Sequence, residues 1–175
     1  MKIELKKISF NERMSEETNA FVADLHINGK KVGCCKNNGQ GGCTDYYGNS
    51  KEDNEIIRQV EEYYKTLPKV KSKEFNFEYQ PSLENTIDDL FEEWITAKLK
   101  AKEEKRIQKL MQKAIIWGVP NTGKYTMIQY AVPLTHVAKV QLKKLQETID
   151  NIKATQCKDG IVILNTNLKE LGVNI

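Results

Sequence analysis

The sequence has no hydrophobic run that approaches the roughly 20 residues needed to span a bilayer, and its mean hydropathy is −0.58. Both features exclude a helical membrane protein. Residues 1–7 alternate charged and apolar side chains, and they lack the apolar block and cleavage site of a signal peptide. We therefore expect a protein that stays in the cytoplasm where it is made and has no membrane partner.

Cysteine and histidine are scarce, with four Cys and two His in 175 residues. The Cys-x₂-Cys spacing of common structural zinc sites does not occur, and the neighbours Cys34 and Cys35 would point to opposite faces of a strand. We therefore expect reduced thiols and neither a metal nor another cofactor. A cysteine nucleophile needs a nearby base, and no such pair follows from the spacing. The sequence favours a protein that is not an enzyme.

The patterns that are present predict one α+β domain over residues 1–175, with a mostly antiparallel sheet. Two β-hairpins and a terminal strand build this sheet. The first hairpin turns at Asn28-Gly29, a pair that suits a type I′ turn. Predicted strands occupy residues 2–10, 18–27, 30–36, 73–79, 114–119, 125–132 and 161–166.

Three helices are predicted from apolar residues at helical spacing. The first follows a cap at Ser50, presents Ile56, Val60, Tyr63 and Leu67 on one face, and stops at Pro68. The second is long, from about residue 82 to 115, with a cap at Ser82. Its apolar stripe is Leu83, Ile87, Leu90, Trp94, Ala97 and Ala101. The third begins at a Thr135 cap, and its core face is Ala138, Leu142, Leu145, Ile149 and Ile152.

Residues 37–48 form the most distinctive loop of the sequence, with four glycines in twelve positions. Glycines allow the backbone to approach a ligand closely, and Asp45, Tyr46 and Tyr47 supply polar and stacking groups. A long hairpin connection fixed by its own aromatic side chains accounts for the same composition. The loop is therefore either a ligand or partner site or a structural connection.

Residues Gly118–Lys124 match the first seven positions of a P-loop, GxxxxGK. Tyr125 stands where a P-loop needs Ser or Thr for Mg²⁺, and a strand-like segment follows where a helix is needed. The pattern favours a hairpin turn, with Asn121 and Gly123 at the positions of positive φ.

The long helix divides its charge along its length. Residues 82–97 carry five acidic and no basic side chains, whereas residues 98–113 carry seven basic and two acidic ones. The helix dipole favours this order of charge, but it acts only over the terminal turns. A solvated helix face is one interpretation, and a surface for a phosphate backbone or an acidic partner is the other. The candidate partner-binding residues here are Lys98, Lys102, Lys105, Arg106, Lys109 and Lys113.

Four segments carry a resemblance that covers most of the chain: Asn28–Gly33, Asn37–Tyr46, Glu61–Pro68 and Ile163–Asn167. The sequence resembles a family of small uncharacterised proteins of phages and mobile elements, particularly of Bacteroidota. The resemblance implies an accessory protein, such as an anti-CRISPR protein, in the cytoplasm of a host cell. It would inhibit a defence complex, an RNA-guided nuclease or its guide RNA, by direct binding. The alternative is a small-ligand-binding protein or enzyme that uses loop 37–48.

Overall fold

The structure is a computed structural model that describes residues 1–72 and 76–174. Its contacts divide the chain into two compact units, Met1–Thr96 (unit 1) and Ala97–Ile175 (unit 2). Three helices and mostly antiparallel strands confirm the predicted α+β class. That both units fold together as the single domain expected from the sequence stays a prediction.

Unit 1 contains a four-stranded antiparallel sheet in the order β1-β2-β3-β4. The Asn28-Gly29 turn joins β2 to β3 with φ values of 50° and 84°, which confirms the predicted hairpin. The fourth strand lies inside the segment that the sequence predicted as an irregular loop. The strand bounds are β1 Ile3–Phe10, β2 Phe21–Ile27, β3 Lys30–Asn37 and β4 Asp45–Gly48.

The first helix, α1 (Lys51–Thr66), begins at the predicted cap, where the Ser50 hydroxyl accepts a hydrogen bond from the Asp53 amide at 3.1 Å. Its buried apolar residues are Ile57 and Val60, whereas Tyr63 is exposed and not part of the core face. A two-stranded ribbon follows, β5 (Val70–Lys71) with β6 (Glu78–Tyr79). Residues 73–75 of the predicted strand 73–79 lie outside the described residues.

The long helix, α2 (Leu83–Met111), ends four residues before the predicted boundary because the next strand already begins at Ala114. In unit 1 it buries Leu83, Ile87, Phe91 and Ile95. The predicted stripe was shifted to one side, since Leu90 and Trp94 are only half-buried and Ala97 and Ala101 are exposed. The Phe91 ring determines which side of α2 faces the core, because it stacks on Phe21 with ring centroids 4.0 Å apart.

Unit 2 is built on a three-stranded antiparallel sheet in the order β8-β7-β9. Its strands are β7 (Ala114–Gly118), β8 (Tyr125–Gln129) and β9 (Val162–Ile163). The second predicted hairpin is confirmed, and the last strand is two residues long instead of six. Every residue of the central strand β7 is buried. Ile116 packs with Met111 on one face, and Ile115 and Trp117 pack on the other.

The third helix, α3 (Leu134–Thr155), covers that second face with Leu145, Ile149 and Ile152. Two expectations were wrong here. Pro133, not Thr135, occupies the cap position, and Leu142 is 41% exposed. Gln141 leaves helical geometry (φ −140°, ψ 47°), so the helical spacing that would carry Leu142 to the core is broken just before it. None of the helices in the described residues is both long and apolar enough for a membrane span.

Candidate functional site

Four exposed lysines of α2 lie in a line along unit 2, and we call them the basic ridge: Lys98, Lys102, Lys105 and Lys109. Spacing of four, three and four residues places them on one face of the helix. The ridge is about 16 Å long at the helical rise per residue. Ile107 and Met111 occupy the opposite face and pack with Ile116 of the sheet. The helix therefore uses one face for the core and presents lysines on the other.

Three ridge lysines are available to a ligand without breaking an ion pair. Lys102, Lys105 and Lys109 form no salt bridge within residues 1–72 and 76–174. An exposed ion pair contributes little to stability in any case. These side chains are therefore positioned by the helix backbone and not committed to an acidic partner inside the described chain.

Arg106 has a different environment from the ridge. Its guanidinium group donates two hydrogen bonds to Glu103, at 2.8 and 2.9 Å, and lies 5.7 Å from the centre of the Tyr125 ring. Arg106 thereby lowers the pKa of the Glu103 carboxyl group. Of the predicted binding residues on this helix, Arg106 thus has an internal role. Lys113 lies beyond the helix end, where its carbonyl accepts the Tyr130 amide at 2.8 Å.

The net charge of +3 conceals a division between the units. Unit 1 has 13 Lys and Arg against 18 Asp and Glu, a net charge of −5. Unit 2 has 14 Lys and Arg against 6 Asp and Glu, a net charge of +8. Net charge of one sign concentrated in a small folded unit attracts partners of the opposite sign. The charge division that the sequence indicated for one helix therefore extends to the two compact units.

The glycine-rich loop is held by a dense hydrogen-bond network. The Gly39 carbonyl accepts the amides of Glu16, Glu17 and Thr18 at 2.9, 3.0 and 3.3 Å. The Asn37 side chain accepts the Gly39 amide at 2.9 Å, and it donates to the Gly42 carbonyl at 3.0 Å. Backbone and Asn37 hydrogen bonds therefore tie the loop to its neighbours.

The loop also closes one side of an acidic cavity of about 450 Å³ in unit 1. Thr44 fixes the loop to α2, because its amide donates to Glu84 at 3.1 Å and its hydroxyl donates to Asp88 at 2.6 Å. Partial burial raises the pKa of Asp88, and the neighbouring carboxylates raise it further. A hydrogen bond with Glu84 raises the pKa of the Cys43 thiol. A thiol in this environment is a poor nucleophile.

Asp45, Tyr46 and Tyr47 alternate along β4, so the structure separates them. Tyr46 packs against the unit 1 core, and its hydroxyl donates to Glu61 at 2.7 Å. Burial and this carboxylate raise the Tyr46 pKa. Asp45 and Tyr47 are exposed on the other face of the strand. Of the three predicted partner-binding residues, only Asp45 and Tyr47 face solvent together.

The P-loop-like segment is the turn of the β7-β8 hairpin, with Asn121 at φ 63° and Gly123 at φ 69°. A strand follows it, not the helix that phosphate binding by a P-loop requires. In the described part of the chain, no three His, Cys, Asp or Glu side chains are arranged to hold a metal ion. All four cysteines are free thiols, and burial raises the pKa of Cys35 to about 12.

Comparison with known proteins returned no matching family model, curated protein or solved structure.

Proposed function

We propose that the protein is a non-enzymatic binding protein that contacts the phosphate backbone of RNA through the basic ridge of unit 2. The observation that carries this proposal is the ridge itself: exposed lysines on one helix face, in a unit of net charge +8. Phosphate contacts by Lys provide sequence-independent affinity. Few aromatic side chains accompany the ridge, so base stacking is not expected to add sequence selectivity.

The partner that fits both the chemistry and the family resemblance is a protein–RNA complex of host defence, an RNA-guided nuclease or its guide RNA. Such complexes hold guide RNA in a positively charged channel. A basic helix competes for the same phosphates. The inhibitory role, the mobile-element origin and the cytoplasmic location belong to this proposal. The hydrogen bond with Glu84 raises the pKa of the exposed Cys43 thiol, so we do not expect this thiol to act as a nucleophile.

The test is fluorescence anisotropy with a labelled single-stranded RNA of about 20 nucleotides across a series of salt concentrations. Changing Lys102, Lys105 and Lys109 together to Ala removes three phosphate contacts. The slope of log K against log salt should then fall by about 2, since each contact on a single strand contributes about 0.7. A matched control changes three exposed lysines of α3, Lys139, Lys143 and Lys144, to Ala.

The two triple variants lose the same charge from the same unit. Comparing them therefore separates direct phosphate contact by the ridge lysines from attraction of RNA by the net charge of unit 2. A loss confined to the ridge variant supports the proposal. Equal losses would mean that the field of unit 2, and not the ridge, attracts RNA. Undiminished affinity in the ridge variant, or no RNA binding by the unmodified protein at low salt, would refute the proposal.

The second candidate function is binding of a small cationic ligand in the cavity beside loop 37–48. The observation that favours it is the carboxylate lining: Glu17, Glu84, Asp88 and Glu92 line this cavity together with Phe91. An amine or guanidinium group would suit this lining. Arginine added to the anisotropy assay should weaken RNA binding at the ridge only as much as any salt of the same ionic strength does. A specific effect of arginine must therefore be measured on the cavity itself. Saturable calorimetric binding of arginine, abolished by Glu84→Gln, would favour the cavity.

A further inference from the structure

Strand β8 forms an open edge of the unit 2 sheet. It pairs with β7 on one side only, and β9 occupies the other side of β7. Four of its five residues, Thr126 to Gln129, are exposed. Met127 and Ile128 are 40% and 39% exposed, although both are apolar. The edge therefore combines apolar side chains with a backbone that lacks a second neighbour among the described strands.

The hydrogen bonds of β7 show which backbone groups of β8 face outward. The Ile116 carbonyl accepts the Leu164 amide at 2.8 Å, and its amide donates to Asn165 Oδ1 at 2.6 Å, so Ile116 faces the β9 side. Successive residues of a strand direct their backbone N–H and C=O groups to alternate sides. Ile115 and Trp117 therefore form backbone hydrogen bonds with their partners in β8, Ile128 and Thr126. The remaining β8 residues point their N–H and C=O groups away from the sheet: Tyr125, Met127 and Gln129.

This edge lacks the devices that natural proteins use against edge-to-edge pairing. The β1 edge of the same chain has them, since Lys7 adopts φ 49° at an irregularity in the register and carries a charge. In β8 the register with β7 is continuous, and residues 125–129 contain no charged residue and no proline. The contrast within one chain indicates that β8 is left open for pairing.

We propose that β8 pairs with β8 of a second copy of this chain, antiparallel about a twofold axis through Met127. The outward-facing residues fit this register, because Met127 lies opposite its own counterpart and Tyr125 lies opposite Gln129. Each opposed pair exchanges two backbone hydrogen bonds. No like charges oppose each other along the strand, since it has none. The result is a continuous six-stranded sheet that spans two copies.

The size and charge of the surface define how strong the pairing is. A five-residue edge buries less than the roughly 1,200 Å² at which stable interfaces begin, so the dimer is weak and reversible. Two units of charge +8 repel each other at low salt. Salt should therefore strengthen the dimer, whereas it weakens RNA binding. The pairing rests on β8 alone and does not require the proposed RNA-binding function.

The test is sedimentation equilibrium of the full chain in 50 mM and 500 mM NaCl, up to about 1 mM protein. We expect a monomer–dimer equilibrium that tightens at least about three-fold at the higher salt. Met127→Lys places two like charges opposite each other and should weaken the dimer. Thr126→Lys is the matched control, because it adds the same charge opposite the uncharged Ile128. Met127→Pro removes an outward N–H that β7 does not use, and it should abolish detectable dimer.

Far-UV circular dichroism of each variant checks that the fold is retained, and amide exchange locates the contact. Slower exchange at Met127 and Gln129 at high concentration, with Ile128 unchanged, would support the register. A monomer at about 1 mM in 500 mM NaCl would overturn the proposal. A dimer that Met127→Pro leaves intact would also overturn it, because the contact would then lie elsewhere. These readouts use no RNA, so they are independent of the ridge experiment.

Discussion

The Asn165 side chain takes the place of a neighbouring strand residue beside β7. Substitution of Asn165 should show how much these hydrogen bonds contribute to the free energy of unfolding. Its side chain donates to the Ala114 carbonyl at 2.8 Å and accepts the Ile116 amide at 2.6 Å. The β9 strand pairs only with Trp117 and Gly118, so these two backbone groups have no strand partner. Asn165 thus supplies the hydrogen bonds of a missing strand residue.

Asn165→Leu keeps a side chain of similar size but removes the hydrogen bonds to Ala114 and Ile116. It also removes two longer ones that Asn165 Nδ2 donates, to the Met111 carbonyl at 3.5 Å and to Asn167 Oδ1 at 3.3 Å. Ala114 and Ile116 are fully buried, so water does not replace them. Each buried group left unsatisfied costs about 1–3 kcal/mol. The apolar side chain recovers about 1.5–3 kcal/mol by burial. We therefore expect a net loss of about 2 kcal/mol, a considerable part of the 5–15 kcal/mol that is usual for a domain.

The assay is urea unfolding followed by tryptophan fluorescence, because each unit contains one of the two tryptophans. Trp94→Phe leaves Trp117 as the reporter of unit 2, and Trp117→Phe leaves Trp94 as the reporter of unit 1. If the chain is one cooperative domain, Asn165→Leu shifts both transitions equally. If only the Trp117 transition moves, the single-domain prediction is wrong.

The control is Asn151→Leu, the same exchange at an exposed position of α3, which should change the free energy of unfolding by less than about 0.5 kcal/mol. A loss below about 1 kcal/mol for Asn165→Leu would refute the argument. It would mean that the two backbone groups are not dependent on this side chain.

Two further predictions concern the glycine-rich loop. Gly39→Ala should destabilise the protein by about 2–4 kcal/mol, because the new Cβ would meet the Met14 carbonyl oxygen and the φ of Gly39 is +86°. Gly42→Ala is the control, since a Cβ at Gly42 lies in open space and should change stability little in the same urea titration. Equal losses of stability in the two variants would contradict this reasoning. Glu84→Gln should lower the raised pKa of Cys43 and speed its alkylation by iodoacetamide at pH 8, with Asp89→Asn as a control on the same helix; an unchanged rate would mean that Glu84 does not hold the thiol proton.

Local chemistry made much of the fold predictable from the sequence. Asn28-Gly29 and Asn121 with Gly123 have the positive φ values that their turns require, and Ser50 caps α1 as its side chain allows. Ser82 likewise accepts the Asn85 amide at 3.0 Å at the start of α2. These features depend on neighbours in the sequence, which is why patterns identify them.

The errors have tertiary causes that no local pattern contains. The core face of α2 depends on Phe91 stacking against a strand some seventy positions away in the sequence. The Gln141 break in α3 moves Leu142 out of the core. Asn165 completes β7 across about fifty residues, so its role could not be read from its own neighbourhood. The outward facing of Met127 likewise requires the order of three strands.

The acidic and basic blocks of α2 are not equivalent, and this difference is the reason to look for the partner at the basic one. Glu84 and Asp88 hold Thr44 of the loop, and Glu92 accepts Asn19 at 2.6 Å, so the acidic block has internal hydrogen-bond partners. The lysines at 102, 105 and 109 form no ion pair in the described chain, and a helix dipole explains only the last turn of such a block. Exposed charges that hold nothing in the fold add repulsion to a unit of net charge +8. A phosphate backbone bound along the ridge would remove that repulsion, so RNA should raise the thermal stability of unit 2 while leaving the ridge variant unchanged.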